Sequence, residues 1–289
     1  MNNSQTNAVC CTSGGYKNVF AQGVLKASND NSFQAGVYAS CSSSALVSAF
    51  AACRQINELD ISLWEEGYEI SQREGNQSQA MLSSIDKLYQ TLNDNLWLPS
   101  SSRFLVAVSK VKTKEAAEIT QTEKAKRYGQ KLLIEALRHR TDWRDQHLEA
   151  RLFDSILDPK TELMNNQNLK DVLYATTRML HAWNIPASIN NEAYIDGSYT
   201  ASCLIFPVMQ LGYKKIIFIN TEHDKIFKDL FTEIQIPSEI ENANIHIIQP
   251  DCNLAELGVD FYSIKEDGLQ QVFSHGYEKG NTYLKNQAI

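Results

Sequence analysis

The chain of 289 residues has no excess of basic charge: 27 Lys and Arg stand against 34 Asp and Glu, a formal net charge of -7. Nucleic-acid surfaces normally carry a basic field, so no nucleic-acid partner is expected, although a local basic patch can still meet a membrane. No apolar run approaches the roughly 18 residues needed to span a bilayer. The opening Met-Asn-Asn-Ser-Gln-Thr-Asn has no basic stretch followed by an apolar one, so no secretory leader is expected. Six cysteines, at 10, 11, 41, 53, 203 and 252, form no CxxC pair and show no Cys/His ligand spacing. A zinc site is therefore not expected, nor any other metal or cofactor. Buried, reduced thiols in a cytoplasmic protein are the expectation. No repeat or low-complexity linker divides the sequence, which reads as one domain over 1–289 with a disordered Asn/Ser-rich tail at 1–7.

What is present is ordinary globular material, 43% hydrophobic and 21% charged. Apolar runs bounded by turn residues mark strands at 8–12, 37–39, 104–111, 215–220 and 245–248. The last three are rich in β-branched residues and do not alternate cleanly, as strands buried on both faces of a parallel sheet read. Between them lie helical spacings: Ala45, Leu46, Ala49, Phe50 and Cys53 on one face, then Leu82, Ile85, Leu88, Leu92 and Leu96. The charged stretch 114–152 reads as exposed helices, supported by the i,i+4 pair Glu123 and Arg127. Strands alternating with helices imply an α/β fold with a mostly parallel sheet. The mostly helical stretches 57–100 and 112–182 read as additions over that sheet and candidates for a lid.

Three segments could carry chemistry. In Cys10-Cys11-Thr12-Ser13-Gly14-Gly15-Tyr16-Lys17-Asn18, a strand runs into paired glycines ahead of a helical stretch. Adjacent glycines let the backbone approach a ligand and aim successive N–H groups at one point, a nest for a phosphate or a developing oxyanion. The spacing fits neither nucleotide-binding glycine motif, and a plain tight turn would look the same. The second segment is Ser40-Cys41-Ser42-Ser43-Ser44, a small-residue turn between a buried strand and a helix. A serine at such a turn is thrown out beside a helix N-terminus, as in a nucleophile elbow, although serines there could also merely cap the helix. The third is Asp196-Gly197-Ser198, either a turn or the source of a carboxylate base for Ser42. None of the six histidines lies in a context that nominates it as that base, so a Ser–Asp dyad fits better than a triad.

In this order the segments resemble the patatin-like phospholipase family, which carries a Gly-rich oxyanion loop, then GxSxG on an elbow, then an Asp-Gly-Gly or Asp-Gly-Ala motif. Residues 19–25, 194–212 and 245–250, with Asp260-Phe261 and Gly276-Tyr277, match supporting stretches in kind. The resemblance implies a three-layer α/β/α fold with a helical lid, and cleavage of lipid ester bonds through a Ser–Asp dyad. By that resemblance Ser42 is the nucleophile and Asp196 the base. Gly14, Gly15, Tyr16 and Lys17 supply the oxyanion hole, Lys17 standing in place of the motif's basic residue. A lipid or other ester is the implied substrate, with peripheral membrane contact left open; scattered aromatics such as Trp64, Tyr68 and Trp97 of the lid region are more often core. Glycines of the family pattern are replaced at Ser13, Asn18, Ser40, Ser44 and Ser198. These changes leave open an alternative, a weakened or inactive binding protein on the same fold.

Overall fold

The computed structural model describes residues 7–287. The expected tail lies outside the described residues except for Asn7, which opens the first strand. In chain order, β1 (Asn7–Cys11), α1 (Val19–Asp30), β2 (Val37–Cys41) and α2 (Ser44–Ala52) lead to a helical pair, α3 (Ser62–Glu74) and α4 (Ser78–Asn95). Next come β3 (Arg103–Val111), α5 (Lys114–Thr120), α6 (Ala125–Leu137), α7 (Asp142–His147), β4 (Leu148–Asp154), β5 (Glu162–Leu163) and α8 (Leu169–Thr177). The hairpin β6 (Ala187–Ile189) and β7 (Glu192–Ile195) is followed by α9 (Ile205–Gln210), β8 (Lys215–Ile219), β9 (Ile226–Asp229), β10 (Thr232–Ile234) and β11 (Glu239–Ile240). Last among the described elements are β12 (Ala243–Ile248) and α10 (Gly268–Gln287).

The main sheet runs β11-β12-β8-β1-β2-β3-β4-β5, with β7 also paired to β3 and β6 to β7. The five strands from β12 to β3 are parallel, and antiparallel β4, β7 and β11 extend them, so the sheet is mixed. Side chains alternate with the period of two that a pleat imposes. Val9, Cys11, Tyr38 and Ile219 face a core shared with Phe20 of α1, Phe50 of α2, Leu173 of α8 and Val272 of α10. Ala8, Cys10, Ala39 and Phe218 face the opposite side, with Ile205 and Val208 of α9. The result is a three-layer α/β/α arrangement whose first helical layer is the larger. Burial of each large apolar side chain there contributes roughly 1.5–3 kcal/mol.

The stretch 114–152 is not helical throughout. Its end enters β4, which pairs antiparallel with β3 and sets Val106 opposite Phe153. Leu148, Phe153 and Asp154 at the ends of the strand are buried while Glu149 and Ala150 are exposed, so the charged stretch that read as a solvated helix does not alternate along β4. Glu123 precedes α6 rather than lying within it, so the expected Glu123–Arg127 helical pair is not formed in that helix. All six cysteines are free; five are buried and Cys252 is half-buried.

β1 lies between β2 and β8, and the chain proceeds first to one side of it and then to the other. Ligand crevices of open α/β sheets form outside the carboxyl ends of the strands at such a reversal. The loops after β1 and β2 carry the Gly14–Gly15 and Ser42 segments, and the loop after β8 packs against the first of them: Thr221 Oγ1 donates to Ser13 O at 3.0 Å.

Candidate active site

Ser42 is the residue immediately after β2, and its φ of 58° lies in the left-handed region. A non-glycine residue there is strained by about 1–2 kcal/mol, a cost that surrounding contacts must offset. Two hydrogen bonds do so: Ser42 N–H donates to Thr176 Oγ1 at 2.9 Å, and Thr176 Oγ1 donates to Ala107 O at 2.6 Å. The elbow is thus tied through α8 to the neighbouring strand β3.

Ser42 Oγ donates to Asp196 Oδ2 at 2.8 Å. Asp196 follows β7, which lies along β3, and its backbone is held at both ends. Its N–H donates to Arg178 O at 3.0 Å, and its carbonyl accepts from Ser109 Oγ at 2.7 Å. Its other carboxylate oxygen caps the short turn behind it, accepting from Ser198 N–H at 2.7 Å. Gly197 makes the approach possible, because a Cβ there would stand 2.2 Å from Ala107 O and 3.1 Å from Cys41 Cβ. Asp196 is 0% exposed. Burial raises its carboxyl from the ordinary 3.8 to about 6, opposed in part by the hydrogen bonds from Ser198 and Ser42. A carboxylate so placed accepts a proton more readily than an exposed one.

The adjacent Cys41 thiol is pushed well above its usual range by burial and the Asp196 charge, so it stays protonated. None of the six histidines hydrogen-bonds to Ser42 or Asp196 among the described residues. His181 meets Tyr262 instead, and burial lowers its pKa to about 4, leaving it neutral.

Of the glycine pair, Gly15 alone adopts the left-handed backbone that favours glycine. Gly15 has φ +56°, and a Cβ there would lie 2.2 Å from Phe261 O. The four residues expected to serve the oxyanion are differently engaged. Tyr16 N–H donates to Phe261 O at 3.3 Å and Lys17 N–H to Gly14 O at 3.1 Å, so neither amide faces a ligand. Lys17 Nζ pairs with Glu222 at 2.8 Å, an anchor to the loop after β8. The Gly15 amide has no acceptor among the described residues, and Gly15, Ser42 and Ser43 border the same cavity.

The replaced elbow glycines do not crowd Ser42. Ser40 lies within β2, and Ser44 opens α2 with its hydroxyl donated to Cys41 O at 2.7 Å. Ser43 Oγ donates to Gly15 O at 2.8 Å, joining elbow and glycine loop. Thr176, Ser109 and the buried Arg178 are structural partners of the site that no local signal in the sequence marks. Arg178 donates to Ile185 O at 2.5 Å and Thr120 O at 2.7 Å, fixing the segment whose carbonyl holds Asp196.

Ser42 opens into a chiefly apolar pocket walled by Leu46, Leu59, Leu63, Met81 and Phe261. Trp64 of α3 and the small residues of α3 and α4 roof it, so the 57–100 addition covers the cavity. Trp64 is buried and donates from Nε1 to Gln22 Oε1 at 2.6 Å; Tyr68 and Trp97 are half-buried against the core. Among the described residues no group of His, Cys, Asp and Glu is placed to hold a metal ion, and no helix is long and apolar enough to cross a membrane.

No family model matches the chain. No curated protein matches it either. Among solved structures it is similar to VipD from Legionella pneumophila, with 10% sequence identity over 98% of this chain and 67% of that chain, and a TM-score of 0.49. A likeness of that size leaves the function to the site's own chemistry.

Proposed function

We propose that the chain is a patatin-like serine acyl hydrolase that cleaves carboxylic ester bonds of lipids through a Ser42–Asp196 dyad. The observation that carries this reading is the 2.8 Å contact from a left-handed Ser42 to a fully buried carboxylate at the mouth of an apolar cavity. In the first step Ser42 Oγ bonds to the ester carbonyl carbon while its proton passes to Asp196 Oδ2. The Gly15 N–H, and that of Ser43 at the start of the turn into α2, are the donors for the oxyanion; Gly14, Tyr16 and Lys17 hold the loop in shape. Collapse expels the alcohol, which takes the proton from Asp196. Water then gives a proton to Asp196 and bonds to the acyl carbon; the Ser42 Oγ–acyl bond breaks, Oγ takes that proton back from Asp196, and the acid is released. The cavity suits an acyl chain, since its walls offer hydrocarbon surface and few polar partners.

A fluorophosphonate probe tests the reading. It should form an adduct on Ser42, and Ser42→Ala should lose both the adduct and turnover of short-chain esters. Labelling that survives Ser42→Ala, or an unlabelled protein with no ester turnover, would leave the binding-protein alternative in its place.

A further inference from the structure

We infer that the outward face of α6 docks on an anionic lipid surface. Residues 124–140 hold six basic side chains, Lys124, Lys126, Arg127, Lys131, Arg138 and Arg140, and one carboxylate, Glu135, a local charge of +5 in a chain of net -7. All six basic residues are exposed. Among the described residues, Arg140 alone of the six has an ion-pair partner, Glu135 at 3.6 Å. The other five meet no carboxylate within 4.0 Å, and Lys131 lies over the Tyr128 ring instead. An uncompensated basic face on an otherwise acidic protein attracts polyanions, and the attraction is screened by salt.

The apolar residues on this face select lipid among polyanions. Ile134 is 49% exposed and Leu137 83%, the latter the most exposed large hydrophobic residue described. They are three residues apart and so neighbours on the helix surface, with Arg127, Lys131 and Arg138 at intervals of seven, three and four residues from Ile134. Apolar side chains ringed by Lys and Arg gain by entering the headgroup–acyl boundary. Against a nucleic-acid backbone the same two residues would gain nothing.

The position fits as well. The inner face of α6, through Ala125, Gly129 and Leu132, is buried. Gly129 sits so close to the loop after α8 that a Cβ would lie 2.4 Å from His181 N. That loop supplies Trp183 to the cavity beside Ser42. Lys126 borders a groove with His181 and Tyr262, and Tyr262 also lines the Ser42 cavity. A bilayer held on α6 therefore lies one helix away from the cavity wall. The aromatic candidates for membrane contact, Trp64, Tyr68 and Trp97, are turned inward.

Flotation of the full chain with phosphatidylcholine vesicles, with and without about one quarter phosphatidylserine, tests the docking. The expected result is binding to the anionic vesicles alone, weakening steeply as salt rises. At roughly fivefold per basic side chain, the combined Arg127→Gln, Lys131→Gln and Arg138→Gln variant should lose on the order of 100-fold in affinity. Leu137→Ser should weaken binding with little change in its salt dependence. These side chains are exposed and unpaired, so both variants should melt with the wild type. Vesicle binding is read without turnover, and Ser42→Ala should bind as the wild type does, so a failure of the hydrolase reading leaves this one standing. Wild-type protein that ignores anionic vesicles, a triple variant that still binds, or duplex DNA bound as tightly as the vesicles would each overturn it.

Discussion

Asp196→Asn is expected to make the protein more stable while removing the proposed ester hydrolysis. Asp196 is fully buried, and its carboxyl rises from 3.8 to about 6 on folding. At about 1.36 kcal/mol per pH unit, keeping it ionised in the folded protein costs about 3 kcal/mol at pH 8. Asparagine keeps the shape and the contacts: its Oδ1 can accept from Ser198 N–H as now, and its Nδ2 can donate to Ser42 Oγ. The sign follows from the direction of the rise. The folded state holds the Asp196 proton more tightly than the unfolded chain, so the penalty is absent below about 3.8, grows as pH rises, and is complete above about 6. Denaturant unfolding of both proteins should show the variant ahead by about 3 kcal/mol at pH 8 and by about 1 kcal/mol at pH 4.5. Other carboxylates titrate in both proteins and cancel in the difference. The wild-type kcat/KM should fall about tenfold per pH unit below about 6, and the variant should lose two to four orders of magnitude at every pH. A variant no more stable at pH 8, or a gap that does not change with pH, would refute the picture of Asp196 as a desolvated, ionised base.

Four further outcomes follow from the packing of the site. Gly197→Ala drives a Cβ into Ala107 O, 2.2 Å away, and should cost about 3 kcal/mol or more by denaturant unfolding because the clash is with backbone. Thr176→Val removes both hydrogen bonds that hold the left-handed Ser42 and leaves its N–H buried without a partner; a loss of about 1–3 kcal/mol is expected, with a fall in kcat larger than the change in KM. Gly67, inside α3, has space for a side chain, its nearest neighbour being Ser84 Oγ at 3.7 Å. Gly67→Ala should therefore stabilise by about 1 kcal/mol in thermal melts. Gly67→Leu should fill the cavity and shift ester preference to shorter acyl chains, read from a series of nitrophenyl esters.

The parts legible in the sequence were those specified by local pattern. Apolar runs marked β1, β2, β3, β8 and β12 to within a few residues; β1, β2, β3 and β8 are largely buried on both faces, whereas β12, expected to be so, alternates with Asn244 and His246 exposed. β4 escaped because its charged residues follow no period of two, and only its pairing with β3 identifies it as a strand. Ser42 stood out because a small-residue turn between strand and helix is a local event, and Asp196 because Asp-Gly is one too. Whether they meet is not local. They are 154 positions apart, and the contact depends on β7 lying along β3, on Gly197 admitting the loop against Ala107, and on Arg178 and Ser109 holding the Asp196 backbone. Tertiary structure likewise decided among the four residues of the glycine loop, since Phe261 and Gly14 carbonyls occupy the Tyr16 and Lys17 amides. By itself, then, the sequence determined which reacting groups the chain offers, whereas long-range packing decided their distance, their desolvation and the amides left free to face a substrate.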